Sequence, residues 1–447
     1  MFAFSRTQTR RPGASAALAL ALMSGSAIGL VALEAPAAAQ KKGKEEKAAK
    51  ANYSKGFIAA YKTAEDLSKA GNNEGAKAQL PGVIAAIETD DDRMAGGGLA
   101  YNVGTGLNDS TLQLQGLDLM IASGKADQTK NGQYNYIGYQ ISSQAGDQAK
   151  ARQYLNAAIA ANYSFEAKMS DGSAKTIGAD DMRVMLAESH FDASDFDGGL
   201  AYLSQLIAER EAAGVAVPQA WITRGIAVAY NNDKAAEAVN FSKLYAKHYP
   251  SQTSWGDAVA IQRNLIDYEA QMTLDLLRLG LRTNALRDTR SYVDYLEAAD
   301  ARRLPGEVTR VVKAGIDAGK LTSGDVYVNE ASTVANGRIN ADKAELPALE
   351  RDARAANATG TTASAAGDAF LSYQDWAKAE AMYTIAAGKP GVDMDRVMTR
   401  LGIAQLELGK TTEAIASFSK VQGQRKNIAD LWRIHAEQVA APAAPAA

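Results

Sequence analysis

Two segments near the C-terminus align with each other without a gap, and their offset of 35 residues constrains the fold more than any other feature of this chain. The first runs from Gly367 to Ala386 and the second from Gly402 to Val421. Each begins with a glycine, which is followed twelve residues later by an alanine and after four more by an aromatic ring. A repeat of this length is one helix–turn–helix unit, which cannot bury its apolar face alone and must stack on neighbours. The spacing therefore predicts an array of helix pairs.

The repeated positions differ in size, and the sizes predict how the helices pack. Small residues let two helices approach closely, and a ring fills the space that remains between them. The small residues are Gly367, Ala379, Gly402 and Ala414, and the rings are Tyr383 and Phe418. Three partial copies lie upstream, around Gly225, Gly138 and Leu186, and the first two carry one extra residue, which we place in the turn.

This pattern resembles the tetratricopeptide repeat (TPR). The resemblance implies an all-α fold, an α-solenoid in which antiparallel helix pairs form a right-handed superhelix. It also implies that ligands lie in a concave groove lined by the first helix of each pair. Carried over position by position, the groove residues are Asn135, Tyr139, Ile222, Ile226, Tyr230, Ser364, Asp368, Leu371, Arg396, Thr399 and Ile403. The apolar members of this set could instead be core between repeats.

The composition of the implied groove limits the ligand. One subclass of the family grips a C-terminal carboxylate with basic and amide side chains. The corresponding positions here hold Ile222, Ile226, Ser364 and Asp368, which do not support carboxylate binding of that kind. A mixed apolar and aromatic groove favours an extended peptide or an amphipathic helix of a protein partner.

The N-terminus has the pattern of a secretory signal peptide. Arg6, Arg10 and Arg11 precede an apolar run over 15–33, and small residues at 37–39 form a cleavage site. Cleavage would leave no integral membrane segment and would place the mature chain in the periplasm; the alternative is an uncleaved anchor.

Composition and patterning divide the rest of the chain. The predicted segments are a signal peptide at 1–39, a charged linker at 40–51, divergent N-terminal helical repeats at 52–130, TPR-like repeats at 131–250, divergent helix pairs at 251–357, C-terminal TPR repeats with a capping helix at 358–438, and a disordered Ala/Pro tail at 439–447. The glycines around Gly96–Gly98 predict an irregular unit. The capping helix should bury one face, formed by Ile428, Leu431, Trp432 and His435. The opposite face, with Asp430, Arg433 and Glu437, should be exposed to solvent.

The chemistry-bearing residues do not form a recognisable catalytic or metal pattern. The chain has no cysteine and three widely separated histidines, and the acidic run after Asp192 has the wrong register for a calcium loop, so Asp195 should cap a helix there. A net charge of −3 without a basic stripe argues against a nucleic-acid partner. We therefore predict no catalytic residue, no metal and no cofactor.

The predicted function is that of an exported, non-enzymatic scaffold that binds a protein or peptide in its groove. The alternative is a glycan-binding solenoid, since 18 tyrosines and 4 tryptophans could supply stacking platforms. Of the tryptophans, only Trp255 lies outside a packing position of the repeat pattern. The identity of the partner and the oligomeric state stay open at this point.

Overall fold

The computed structural model describes residues 51–169 and 172–441. The chain divides into two compact units, with the boundary between Leu206 and Ile207. Successive helices pack on one another over residues 55–192 and again over residues 219–440, as a solenoid requires. The predicted all-α fold of stacked helix pairs is therefore confirmed. The predicted signal peptide and most of the charged linker lie outside the described residues, as do positions 442–447 of the tail.

Unit 1 contains three helix pairs followed by a hairpin and a further helix. In chain order these elements are α1 (Lys55–Lys69), α2 (Asn73–Ala85), α3 (Asp90–Leu107), α4 (Ser110–Ala122), α5 (Gln128–Gln144), α6 (Gln148–Ala160), β1 (Phe165–Lys168), β2 (Ala174–Ile177) and α7 (Ala179–Asp192). The next helix, α8 (Phe196–Ala212), contains the boundary. Asp195 precedes α8 and accepts a backbone hydrogen bond from Gly198 at 3.0 Å, which confirms the predicted cap.

Unit 2 continues the same arrangement with helices of more variable length. They are α9 (Gln219–Asn231), α10 (Ala235–His248), α11 (Gln252–Leu265), α12 (Ala270–Arg282), α13 (Thr289–Ala299), α14 (Pro305–Asp317), α15 (Val326–Arg354), α16 (Gly360–Ser372), α17 (Trp376–Ala387), α18 (Met394–Glu407), α19 (Thr411–Phe418) and α20 (Lys426–Ala440), with a 3-10 turn at Gly423–Arg425. Helices α11 to α15 occupy the segment 251–357, for which the sequence predicts divergent helix pairs.

The glycine–ring contact predicted for the repeats is present in four helix pairs, always at a spacing of 16 residues. A Cβ atom added to the glycine would lie between 2.4 and 2.7 Å from a ring carbon of the second helix. The contacting pairs are Gly138 with Tyr154, Gly225 with Phe241, Gly367 with Tyr383, and Gly402 with Phe418. Only glycine permits this approach, so the packing is TPR-like.

The extra residue of two copies lies in the first helix, which corrects its predicted place in the turn. In all four copies two residues separate the last helical residue from the N-cap of the second helix. The first helices of the Gly138 and Gly225 copies are one residue longer after the glycine, so their second helices begin one residue later. The ring compensates by standing one position earlier in the second helix, which keeps Tyr154 on Gly138.

The glycine run in unit 1 does not make an irregular element, contrary to the expectation. Gly96–Gly98 lies inside the continuous helix α3. A Cβ at Gly97 would lie 2.7 Å from the carbonyl oxygen of Gly116 on α4, and one at Gly116 would lie 2.5 Å from the backbone nitrogen of Tyr101. The glycines therefore allow backbone-to-backbone contact between α3 and α4.

A short hairpin interrupts the helices of unit 1, and helical periodicity did not predict it. Strands β1 and β2 pair antiparallel, with Phe165 opposite Ile177. The ring of Phe165 lies 4.7 Å from that of Tyr136 on α5, which joins the hairpin to the helical core. The hairpin takes the place of a simple turn between α6 and α7.

Unit 2 closes on itself through its last helix. Helix α20 caps the final pair as predicted, with the ring of Trp432 stacked on Phe418 at 6.0 Å. It also packs on α10 and α12, which lie far earlier in the chain. Asp430, expected to be exposed to solvent, is largely buried and pairs with Lys243 at 3.0 Å across a sequence separation of 187 residues. The helix continues to Ala440, beyond the predicted start of the tail.

Candidate functional site

A buried carboxylate occupies the centre of unit 2. Asp275 on α12 has no exposed surface, and it accepts hydrogen bonds from three arginines. Arg278 donates from Nη1 at 2.8 Å and Arg400 from Nε at 3.0 Å, and Arg425 also donates to Asp275. Three guanidinium groups thus converge on one side chain, which must stay ionised to hold them.

Two further carboxylates balance the arginines. Glu307 accepts both Nε and Nη2 of Arg278, at 2.8 and 2.6 Å. Asp368 accepts Nη1 of Arg400 at 2.7 Å. We call these six residues the arginine–carboxylate cluster: Asp275, Arg278, Glu307, Asp368, Arg400 and Arg425. Its three acids and three bases sum to zero charge, which buried ions require.

Two tyrosines complete the cluster and join it to further helices. The hydroxyl of Tyr295 on α13 donates to Glu307 at 2.8 Å, and that of Tyr383 on α17 donates to Asp368 at 2.6 Å. The charged members come from α12, α14, α16, α18 and the 3-10 turn before α20. These alternate helices therefore form one inner layer of unit 2, and charges fill the space that they enclose.

The arginines keep all three acids ionised in spite of their burial. Burial alone would raise the pKa of Asp275, but the charges of Arg400, Arg278 and Arg425 outweigh it and hold the pKa below its ordinary value. Burial also opposes ionisation of Glu307, and the charge of Arg278 lowers its pKa instead. The cluster is therefore fully charged at neutral pH.

The inner layer contains the predicted groove residues of the last two repeats. Arg396 lies 3.4 Å from the hydroxyl of Ser364 and 4.0 Å from the carboxylate of Asp368, so the fold brings these three together. Ser364, Leu371, Thr399 and Ile403 are buried, and so is Asp368 within the cluster. Arg396, with 24% of its side chain exposed, offers the accessible surface of this set. Partner binding by these residues stays a prediction.

The other predicted groove residues lie in two places. In unit 1, Asn135 is buried and donates to the backbone of its own helix at 2.8 Å, while burial raises the pKa of the half-buried Tyr139 to about 12. In unit 2, Ile222 is buried, Ile226 is half-buried and Tyr230 is 39% exposed. Tyr230 is thus the predicted groove residue with the most open surface.

Sequence reasoning missed most of the cluster. Asp275 and Arg278 stand within a leucine-rich helix, beside Leu274 and Leu277, which are fully buried. Charged residues at such positions are a signal for buried ion pairs. Arg400 gave the same signal between Thr399 and Leu401. The partners could not be named because Asp275 and Arg400 are 125 residues apart.

A histidine between two tryptophans lies beside this layer. The ring of His435 is 5.7 Å from that of Trp255 and 6.4 Å from that of Trp432. Burial, with a smaller contribution from the charge of Arg282, lowers the pKa of His435 to about 4. Trp255 is only 4% exposed, which corrects its expected freedom to stack on a glycan.

His435 should make unit 2 sensitive to mild acid. Because its folded pKa lies below the unfolded value of about 6.5, the unfolded chain takes up the proton first, and stability is lost as the pH falls from 6.5 towards 4. His435→Phe keeps a ring between the tryptophans and removes this loss. Urea unfolding at pH 7 and pH 4.5, followed by tryptophan fluorescence, should show a smaller drop for the variant; equal drops would contradict the assignment.

Within residues 51–169 and 172–441 the side chains form no group of three or more potential metal ligands. In the same ranges no helix combines the length and apolarity needed to cross a membrane.

Comparison with known proteins gives distant structural likenesses. No protein-family profile and no curated relative matches the chain. Among solved structures, the TPR2AB domain of yeast Sti1 in complex with pHSP90 is 11% identical, with a TM-score of 0.25 over 63% of this chain and 98% of that one. The TPR domain of P58(IPK) is 12% identical, with a TM-score of 0.19 over 86% and 98%. Likenesses at these scores carry no argument, so the fold rests on the chain's own helix pairs.

Proposed function

We propose that this chain is an exported, non-enzymatic scaffold that binds a helix or peptide of a partner protein. The observation that carries the proposal is that unit 2 already holds a helix: α20 lies on α10, α12 and α18. It is held through a buried apolar face, the feature by which helices are recognised in grooves, and Arg425 just before the helix is buried with it. Stacked helix pairs offer such surfaces repeatedly.

The cell envelope is the proposed location. The pattern of the first 39 residues is that of a signal peptide, and a chain without cysteine needs no particular redox compartment. A fusion of residues 1–51 to a reporter that is active only after export tests this directly. Export of the fusion, lost when Arg6, Arg10 and Arg11 are all replaced by glutamate, is the expected result.

The binding function is tested by capture with the chain from residue 40 onward, immobilised and exposed to an envelope fraction. We expect at least one protein to be retained in amounts that saturate and that free chain competes away. Mass spectrometry of the retained material identifies it. Retention no greater than on an unrelated helical protein of similar charge would contradict the proposal.

Tyr230→Ala should weaken that retention severalfold while leaving the fold stable. The side chain is 39% exposed, and surface substitutions usually change stability by less than about 0.5 kcal/mol. Tyr327→Ala is the matched control, because Tyr327 is 38% exposed, also in unit 2, and lies outside the predicted groove. Equal retention by both variants would remove Tyr230 from the site, and a large fall in melting temperature would assign it to the core.

A further inference from the structure

We propose that the C-terminal segment is an exchangeable internal ligand, which partner helices displace from unit 2. We call the 3-10 turn Gly423–Arg425 together with α20 the terminal latch, and the surfaces of α10, α12 and α18 that it contacts the latch site. The proposal rests on the proposed function and specifies its ligand: an amphipathic helix with an arginine just before its apolar face.

The groups that bind Arg425 come from helix α12 and from Glu269, the N-cap residue of that helix. Arg425 is 1% exposed, and its guanidinium donates to Asp275, to the backbone oxygen of Gln271 at 3.5 Å and to Glu269 at 3.1 Å. Two carboxylates and a carbonyl thus face one cation. A neutral side chain at this place would remove one of the three cations that face the buried charge of Asp275.

A second contact fixes the register of the helix relative to the arginine. The indole Nε1 of Trp432, seven residues after Arg425, donates to the backbone oxygen of Asp275 at 2.9 Å. Ile428 and Leu431 lie on the same face and are fully buried. The site therefore recognises a pattern, an arginine followed by an apolar helical face with an indole at the seventh position.

The outer side of the latch is held by polar contacts with α10. Lys243 pairs with Asp430 at 3.0 Å, and the side-chain amide of Gln438 donates to the backbone oxygen of Ala246 at 2.8 Å. These groups line the edge of the buried face, where partial exposure weakens ion pairs.

Displacement of the latch need not break up the rest of unit 2. The latch is the last described segment, connected along the chain to α19 through residues 419–422 and packed on it by the stacking of Trp432 on Phe418. When it leaves, Asp275 keeps Arg278 and Arg400 as partners but loses one of its three cations, and the half-exposed Glu269 loses its hydrogen bond from Arg425. An open site of this kind favours another arginine-bearing helix. In the closed state the tethered latch competes at high effective concentration, so only a matching partner would replace it.

The test uses a fluorescent peptide of residues 422–441 and full-length chains, with fluorescence anisotropy as the readout. Arg425→Ala weakens the internal latch, so this variant should bind the peptide at least tenfold more tightly than the natural chain. A peptide carrying Arg425→Gln should lose that gain. Because the chain has no cysteine, Lys243→Cys with Asp430→Cys can be bridged by a short bismaleimide. Bridging in the Arg425→Ala background should abolish binding, and the unbridged double-cysteine chain is its control.

Circular dichroism checks that each chain is folded. If Arg425→Ala is unfolded, Lys243→Ala replaces it, since it removes only an edge contact, and it should also bind the peptide more tightly than the natural chain. Absence of peptide binding to any folded variant, or equal binding to bridged and unbridged chains, would overturn the proposal. Failure of this proposal can be distinguished from failure of the scaffold function. A captured envelope protein that binds the bridged chain as well as the unbridged one would support the scaffold function and contradict the latch. Peptide exchange without any captured partner would support the latch and contradict the scaffold function.

Discussion

Asp275→Asn is expected to lower the free energy of unfolding of unit 2 by about 3–5 kcal/mol, the usual cost of removing one partner from a buried ion pair. The asparagine keeps the shape of the carboxylate but removes its charge. It also places an amide donor where Arg278, Arg400 and Arg425 all donate. Urea unfolding followed by tryptophan fluorescence measures this, because all four tryptophans lie after residue 206 and so report on unit 2.

The matched control is Asp317→Asn in the same unit. Asp317 pairs with Lys313 at 2.7 Å, but the two side chains are 62% and 76% exposed, and exposed pairs contribute about 0–1 kcal/mol. The two substitutions make the same chemical change, so the difference isolates burial. Similar unfolding midpoints for the two variants would mean that the charges of the cluster are solvated in solution.

Acid should also destabilise the arginine–carboxylate cluster. The folded pKa values of Asp275, Glu307 and Asp368 lie below their ordinary values, so the stability that they contribute is complete above about pH 5 and is lost as the pH falls through the folded values. In the Asp275→Asn variant part of this loss is already present at neutral pH. Its unfolding should therefore depend less on pH below 4 than that of the natural chain.

The local geometry of the repeats could be predicted because it depends on contacts within one helix pair. Gly402 and Phe418 are 16 residues apart, and their sizes alone specify which side chain fills the gap left by the other. The same reasoning placed the last helix and its buried Trp432. It failed for the extra residue of the Gly138 copy, because a longer helix and a longer turn have the same sequence spacing.

The closure of unit 2 could not be predicted in this way. Arg425 and Asp275 are 150 residues apart, and no local pattern encodes their pairing. The groove residues were carried over from an open solenoid, in which the inner layer faces solvent. Closure buries that layer, so Thr399 and Ile403 lie inside unit 2. The pattern selects helix faces from contacts within one repeat, so it does not indicate which of them closure leaves accessible.

Gly116→Ala is expected to destabilise unit 1 by about 1–3 kcal/mol, the usual range for overpacking. The added methyl group would lie 2.5 Å from the backbone nitrogen of Tyr101 and 2.6 Å from the carbonyl oxygen of Gly97. Both contacts are with backbone atoms, and a helix backbone cannot move without separating α3 from α4. Far-ultraviolet circular dichroism and amide hydrogen exchange of unit 1 measure the change.

For Gly82→Ala in the same unit, the same chemical change is expected to have the opposite effect on stability. Gly82 lies in α2, and nothing comes within 4 Å of a Cβ added there. Alanine should therefore stabilise α2 by up to about 1 kcal/mol, because it loses less backbone entropy than glycine on entering a helix. Helix propensity favours alanine equally at both positions, so the difference in sign between them measures the backbone contact of α3 with α4. If Gly116→Ala were also stabilising, α3 and α4 could not be in backbone contact in solution.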